Sequence, residues 1–402
     1  MNPVLAELTK SDKFNEYLER IKKSNVPISI LGLAGVGAPQ IVASTEENIK
    51  RPVCLITYNE LQAKKLAEEI RSYINGVFFF PKREILTYDY VAESKELPYE
   101  RIEVLKNIKN GKIKVLVCSI EALLQPIISE DILFKNKISV KVGETYDLEE
   151  LKRKISMLGY TKTEMIDGKG EFSSRGGILD LSFDDKYGIR IEFWGDEVDS
   201  IRKFDIQTQR SIEMIQEVEI NPLHEYLLEN SLEEVCNKIL NNITEYTENQ
   251  KNNVKEDIEL IKTGEYISKV DKYFKFFYSK KATLLDYITE KYILFLEEPK
   301  KILARGKNIL KDIEGIENAL VERERIIPNA LENYISIEEF SNNINELKKI
   351  YLISDDLGDS SEAEKYYFRF RTLNYNRSDF NKFIDDMYDN SIFANRANFE
   401  KF

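Results

Sequence analysis

Two groups of residues in this chain could do chemistry. The first is a glycine-rich segment, Gly32-Leu-Ala-Gly35-Val-Gly37-Ala38-Pro39, which follows an apolar run from Pro27 to Leu31 and precedes a helix-like stretch. A phosphate-binding loop belongs in that place, where backbone N–H groups and a helix N-terminus meet an anion. A working loop also needs a lysine to reach the β/γ-phosphates and a serine or threonine hydroxyl to hold magnesium. Ala38 and Pro39 occupy those two positions, and Pro39 deletes a backbone donor as well. Gly32, Gly35 and Gly37 therefore read as a structural strand-to-helix turn, and no nucleotide hydrolysis is expected. Glu297 and Glu298 follow an apolar run, as a magnesium-holding carboxylate would, but without the lysine and hydroxyl they carry little weight.

The second group lies in YGIRIEFW, residues 187–194. Side chains alternate along a strand, so Ile189, Ile191 and Phe193 share one face and Arg190, Glu192 and Trp194 the other. Three apolar residues mark the inward face. Trp194, the one tryptophan in the chain, is thus expected exposed and beside an arginine. Arginine and tryptophan are the side chains most enriched at binding hot spots. With a turn centred on Asp185, simple antiparallel pairing sets Asp180 opposite Arg190, where it could hold the guanidinium fork. The same register sets Arg175 opposite Gly195 and turns it inward. A bulge at Gly176-Gly177 would reverse that, and double glycine suits a bulge. We therefore expect a bulge there and Arg175 on the Arg190 face. Residues 141–220 hold 12 basic and 18 acidic side chains, so a local arginine–aromatic patch suits a protein partner better than DNA.

The elements that must position these groups can be read from periodicity. Apolar strand-like runs at Pro27–Leu31, Val53–Thr57, Val77–Phe80 and Lys114–Ser119 alternate with helical stretches. That pattern implies an α/β domain with a parallel sheet covered on both faces. Residues 147–158 read as a helix, and 171–219 as strands with tight polar turns, so an α+β insert with an antiparallel sheet interrupts the first domain. Residues 226–290 read as charged helices. Strands at Tyr292–Leu296, Ile350–Ile353 and Phe368–Leu373 resume the α/β style. The expected division is 1–124, the insert 125–219, a second half 220–375, and a segment 376–402 leading towards a further domain.

Composition narrows the function. The net charge is −12, and no long lysine/arginine stripe is visible, which argues against a dedicated nucleic-acid binder. One histidine, His224, leaves little room for His-based metal or triad chemistry. Cys54, Cys118 and Cys236 are few and widely spaced, and read as buried thiols of a cytoplasmic protein. No apolar run approaches a membrane span, and the charged N-terminus is unlike a secretory signal.

Several motifs together resemble a known family. ITYNELQAKKLAEEI, LPYERIEVL and KVLVCSIEALLQ are similar in order to the first domain of UvrB and of the transcription-repair coupling factors (Mfd). GEFSSRGGILDLSFDDKYGIRIEFWGDEVDSIRKFDIQTQRS, residues 170–211, resembles the insert both carry, NPLHEY the return from it, and FLEEPKKI a later strand end. The altered loop at Ala38-Pro39, the short span between Asp89 and Glu103, and TQRS at 208–211 resemble the coupling factors more than UvrB, whose aromatic hairpin that span is too short to hold. The resemblance implies a degenerate RecA-like, UvrB-like fold whose insert binds the repair protein UvrA. It implies UvrA contacts at Arg175, Arg190 and Trp194, the last commonly Phe in the family, with Glu192 and Asp180 in support and no catalytic residue. It further implies a larger parent that binds RNA polymerase and double-stranded DNA through other parts and uses ATP and magnesium, this chain being truncated before them. The alternative is a fragment of a UvrB-like, damage-binding ATPase.

Overall fold

The computed structural model describes residues 2–23, 26–33, 37–83, 96–227, 231–242, 246–263, 273–324, 326, 328, 334–345, 347–353 and 363–368. Short apolar runs build the first strands: β1 (Ile28–Leu31), β2 (Val53–Thr57), β3 (Val77–Phe80) and β4 (Val115–Ser119). The chain then leaves for β5 (Ile138–Lys141), β6 (Thr161–Lys162), β7 (Glu171–Arg175), β8 (Ile178–Ser182), β9 (Tyr187–Trp194), β10 (Glu197–Asp205), β11 (Ser211–Ile215) and β12 (Glu217–Ile220). It returns with β13 (Ile293–Glu297), β14 (Lys348–Ile353) and β15 (Glu364–Tyr367).

The first and last groups form one seven-stranded sheet in the order β15-β1-β14-β13-β2-β4-β3, parallel at every pairing. β1, β2 and β4 are buried along their whole length, which is why they read as unbroken apolar runs. Helices Asp12–Lys23 and Gly37–Ile49 cover one side of the sheet. The other side shares a continuous core with the insert, running from Leu116 and Ile120 to Leu151, Ile155, Leu179 and Ile191. Cys54 and Cys118 sit in that core as free thiols, their sulfurs 4.0 Å apart. The last strand falls at Glu364–Tyr367, earlier than the expected Phe368–Leu373, of which 369–373 lie outside the described residues.

β5 and β12 carry the chain out and back as an antiparallel pair, Ile138 opposite Ile220 and Lys141 opposite Glu217. Between them lies a six-stranded sheet, β11-β10-β9-β8-β7-β6, antiparallel except at β6–β7. Helix Leu148–Met157, capped by Asp147, buries Leu151 and Ile155 against its inner face. The expected single strand through EFSSRGGILDLSF is in fact two. Gly176 and Gly177 form a two-residue hairpin turn, with Arg175 opposite Ile178 and Gly176 at φ +59°. Glycine at a positive φ serves a tight hairpin as well as a bulge. The register irregularities lie elsewhere, between Val198 and Ser200 and between Lys203 and Phe204.

Two motifs far apart in sequence fasten the insert to the parallel sheet. Arg101, on helix Glu96–Lys109, is buried, and its Nε and Nη2 donate to the Glu225 carboxylate at 2.6 and 3.1 Å. Its Nη1 donates to the Pro81 carbonyl at 2.5 Å, and its plane lies 4.3 Å from the Phe80 ring centre. Two residues earlier, Tyr99 packs on Gly170 so closely that a Cβ there would sit 2.2 Å from the phenol oxygen. His224 packs on Gly159 in the same way, and burial pushes its pKa down to about 4, so it stays neutral.

Candidate protein-docking site on the insert

β9 places its side chains as alternation requires. Ile189, Ile191 and Phe193 are buried on the inner face with Leu179, Leu181, Val198 and Ile201. Arg190, Glu192 and Trp194 occupy the outer face. Cross-strand pairing arranges that face in rows. One row runs Ser173, Asp180, Arg190, Arg202, Met214, and the next Arg175, Ile178, Glu192, Ser200. Arg175 therefore shares the face of Arg190. The hairpin turn puts it there, two strands away, and the expected pairing with Gly195 does not occur. Strand spacing and rise set the two arginine Cα atoms roughly 12 Å apart.

Asp180 faces Arg190 and takes its fork two-handed, Nε to Oδ1 at 2.8 Å and Nη2 to Oδ2 at 2.9 Å. Nη2 also donates to Gln209 at 3.1 Å, and the guanidinium lies 4.7 Å over the Phe204 ring. The hydrogen bond that Arg190 donates to Asp180 raises the arginine's pKa further, so its charge is permanent. Among the described residues no group accepts from Nη1. Beside this pair Glu192 accepts from Ser200 at 2.8 Å and from Arg202, and these bonds hold its carboxyl below the usual range. Each arginine in the row thus has its own carboxylate, which lets Arg190 and Arg202 stand directly opposite one another.

The outer face is not wholly bare. Phe204, Ile166 and Ile206 form a small buried cluster on it. A Cβ at Gly188 would lie 2.6 Å from Phe204 and 2.8 Å from Ile166, so this cluster needs glycine beneath it. Arg175 helps to hold the segment that carries Ile166, since its Nε and Nη2 and the Ser173 hydroxyl all donate to the Glu164 carbonyl. The sequence reading missed Phe204, Ile166, Arg202 and Gln209. Its one available signal was Gly188, because a glycine inside a strand marks close approach of another group.

Trp194 ends β9 before the Gly195-Asp196 turn and is 85 % exposed. Glu192 separates it from Arg190 along the strand, and it has no cation–π partner among the described residues. Ile178, Met165 and Met214 are also exposed on this part of the insert. A permanent cation, a naked indole and scattered apolar side chains make a surface that can dock a protein.

At the start of the glycine loop the chain packs closely on itself. Gly32 has φ +78°, and a Cβ there would lie 2.7 Å from the Phe368 carbonyl oxygen, while the Phe368 N–H donates to Leu31 at 3.0 Å. Gly37 opens the helix that follows, Pro39 is buried and Ala38 half-buried, while Gly35 lies outside the described residues. Glu297 accepts from Gln62 at 2.5 Å and burial raises its pKa; Glu298 adopts a left-handed φ of 54°. Residues 96–103 belong to helix Glu96–Lys109, and 84–95 lie outside the described residues. Among the described residues no cluster could hold a metal ion, and no helix is long and apolar enough to cross a membrane.

Comparison with known proteins gives this geometry a context. Residues 138–226, which begin at the first residue of β5, match the family model of the UvrB interaction domain. The chain is homologous to curated transcription-repair-coupling factors. It is 25% identical to that of Bacillus subtilis over 340 residues, 81% of this chain and 29% of the relative. Against that of Staphylococcus haemolyticus it is 28% identical over 334 residues, 80% of this chain and 28% of the relative. The Staphylococcus aureus protein is 27% identical over 342 residues, 82% of this chain and 28% of the relative. The chain thus spans less than a third of the length of these relatives.

Proposed function

We propose that this chain is a UvrA-recruiting adaptor of transcription-coupled repair, and that the outer face of the insert is its docking surface. The observation that carries the reading is Trp194, a large apolar side chain left in solvent in a row next to a charge-fixed arginine network, inside the segment that matches the UvrB interaction domain. Asp180 holds the Arg190 fork before any partner arrives, so little side-chain entropy remains to be lost on docking. Trp194 supplies area that water leaves on contact, at about 25 cal/mol per Å². The α/β part acts as a scaffold. Recognition of stalled RNA polymerase, and ATP-driven movement on DNA with magnesium, belong in this proposal to other parts of a longer protein.

Immobilised chain and purified UvrA test the reading. The unaltered chain retains UvrA, and Trp194→Ala weakens retention at least tenfold while leaving thermal stability unchanged, because the indole touches almost nothing in the fold. Equal retention by both chains contradicts the assignment.

A further inference from the structure

Helix Pro299–Glu322 is 24 residues long and carries its charges in two blocks. Residues 299–311 hold five basic and no acidic side chains, and 312–322 hold four acidic and no basic ones. This order opposes the helix dipole, which favours anions near the N-terminus and cations near the C-terminus. An arrangement that works against the helix it sits on calls for another role.

The basic block has a directed face. Gly306 seats the helix on Ile337 and Ile120, because a Cβ there would lie 2.3 and 3.3 Å from their side chains. Lys300, Lys307 and Lys311, separated by seven and four residues, stand on the opposite, exposed face. They span roughly 16 Å of helix. Lys301 is committed to Glu298 at 3.8 Å and Arg305 to Glu121 at 2.5 Å, whereas Lys307 and Lys311 make no ion pair among the described residues.

We infer that this lysine row is a docking surface for the sugar–phosphate backbone of double-stranded DNA, independent of the insert's outer face. Lysine is depleted from protein–protein interfaces, and this helix carries no aromatic residue to anchor a protein partner. Phosphate contacts need only spaced cations and carry no sequence preference. The acidic block that follows limits the footprint to about three phosphates.

The test is fluorescence anisotropy of a short labelled duplex against the chain, between about 50 and 200 mM salt. Three phosphate contacts give a log–log salt slope of about −2.7. Lys307→Glu/Lys311→Glu should weaken binding at the lowest salt at least tenfold and reduce the slope to about −1, with a melting temperature no lower than that of the unaltered chain, since the change relieves the conflict with the dipole. Glu314→Lys, which extends the row on the same face, should steepen the slope by about one. Failure of the unaltered chain to bind the duplex, or equal binding by the charge-reversed chain, overturns the inference. So does competition by polyglutamate as effective, charge for charge, as that of DNA, because it assigns the surface to an acidic protein.

Discussion

Arg101→Met should destabilise the chain by roughly 3–5 kcal/mol, the largest effect expected of any single substitution considered. The substitution leaves the Glu225 carboxylate buried with no cation to answer it, and removes the donors to Glu225 and Pro81 together. The position ties three pieces of chain: helix Glu96–Lys109, the end of β3, and the return from the insert. The effect should therefore appear in the whole molecule and not as local loosening. Adding Glu225→Leu to Arg101→Met removes the orphaned charge and should recover most of the loss, because a buried ion pair is often worth no more than well-packed apolar groups. Chemical denaturation followed by circular dichroism measures both variants. A cost under about 1 kcal/mol for Arg101→Met, or no recovery in the double variant, would show that the pair does not hold the insert.

Arg190→Ala should weaken UvrA binding by roughly 2–5 kcal/mol, the range for truncating a desolvated interfacial arginine. The structure supplies the reasons for so large a value: Asp180 and Phe204 fix the guanidinium, its charge cannot be removed, and among the described residues no group accepts from Nη1. Arg190→Lys separates charge from shape. Lysine keeps the charge but cannot form the two-handed bond to Asp180, so it should recover only part of the affinity. Calorimetric titration distinguishes the three chains, and equal affinities for all of them would remove Arg190 from the interface. Arg175 is a less clean probe, since it also clasps the Glu164 carbonyl and its loss would loosen the segment carrying Ile166.

How far these residues were legible in advance follows from the range of the forces involved. The alternation in YGIRIEFW is a local signal with period two, and it correctly assigned both faces of β9. The turn near Asp185 fixed the register, so Asp180 opposite Arg190 was also readable. Gly176-Gly177 was ambiguous because glycine at a positive φ suits a bulge and a hairpin equally. The error moved Arg175 to another strand yet left it on the same face. Contacts between distant segments gave no signal at all: Arg101 and Glu225 are 124 residues apart, and neither identity implies the other. The outer-face cluster of Phe204, Ile166 and Ile206 was hidden because a covering loop turned a supposed solvent face partly into core. The lysine row on helix Pro299–Glu322 escaped notice because its members are scattered in sequence and meet only on a helix.

Docking of UvrA on the outer face of the insert, as proposed, covers Trp194. As the one tryptophan in the chain, it can be replaced biosynthetically by 5-fluorotryptophan to give a single fluorine resonance from the proposed interface. On addition of unlabelled UvrA this resonance should shift and broaden, and Arg190→Ala should suppress the change. A complex that forms, as shown by sedimentation, while the fluorine resonance stays at its free position and width would contradict docking at Trp194.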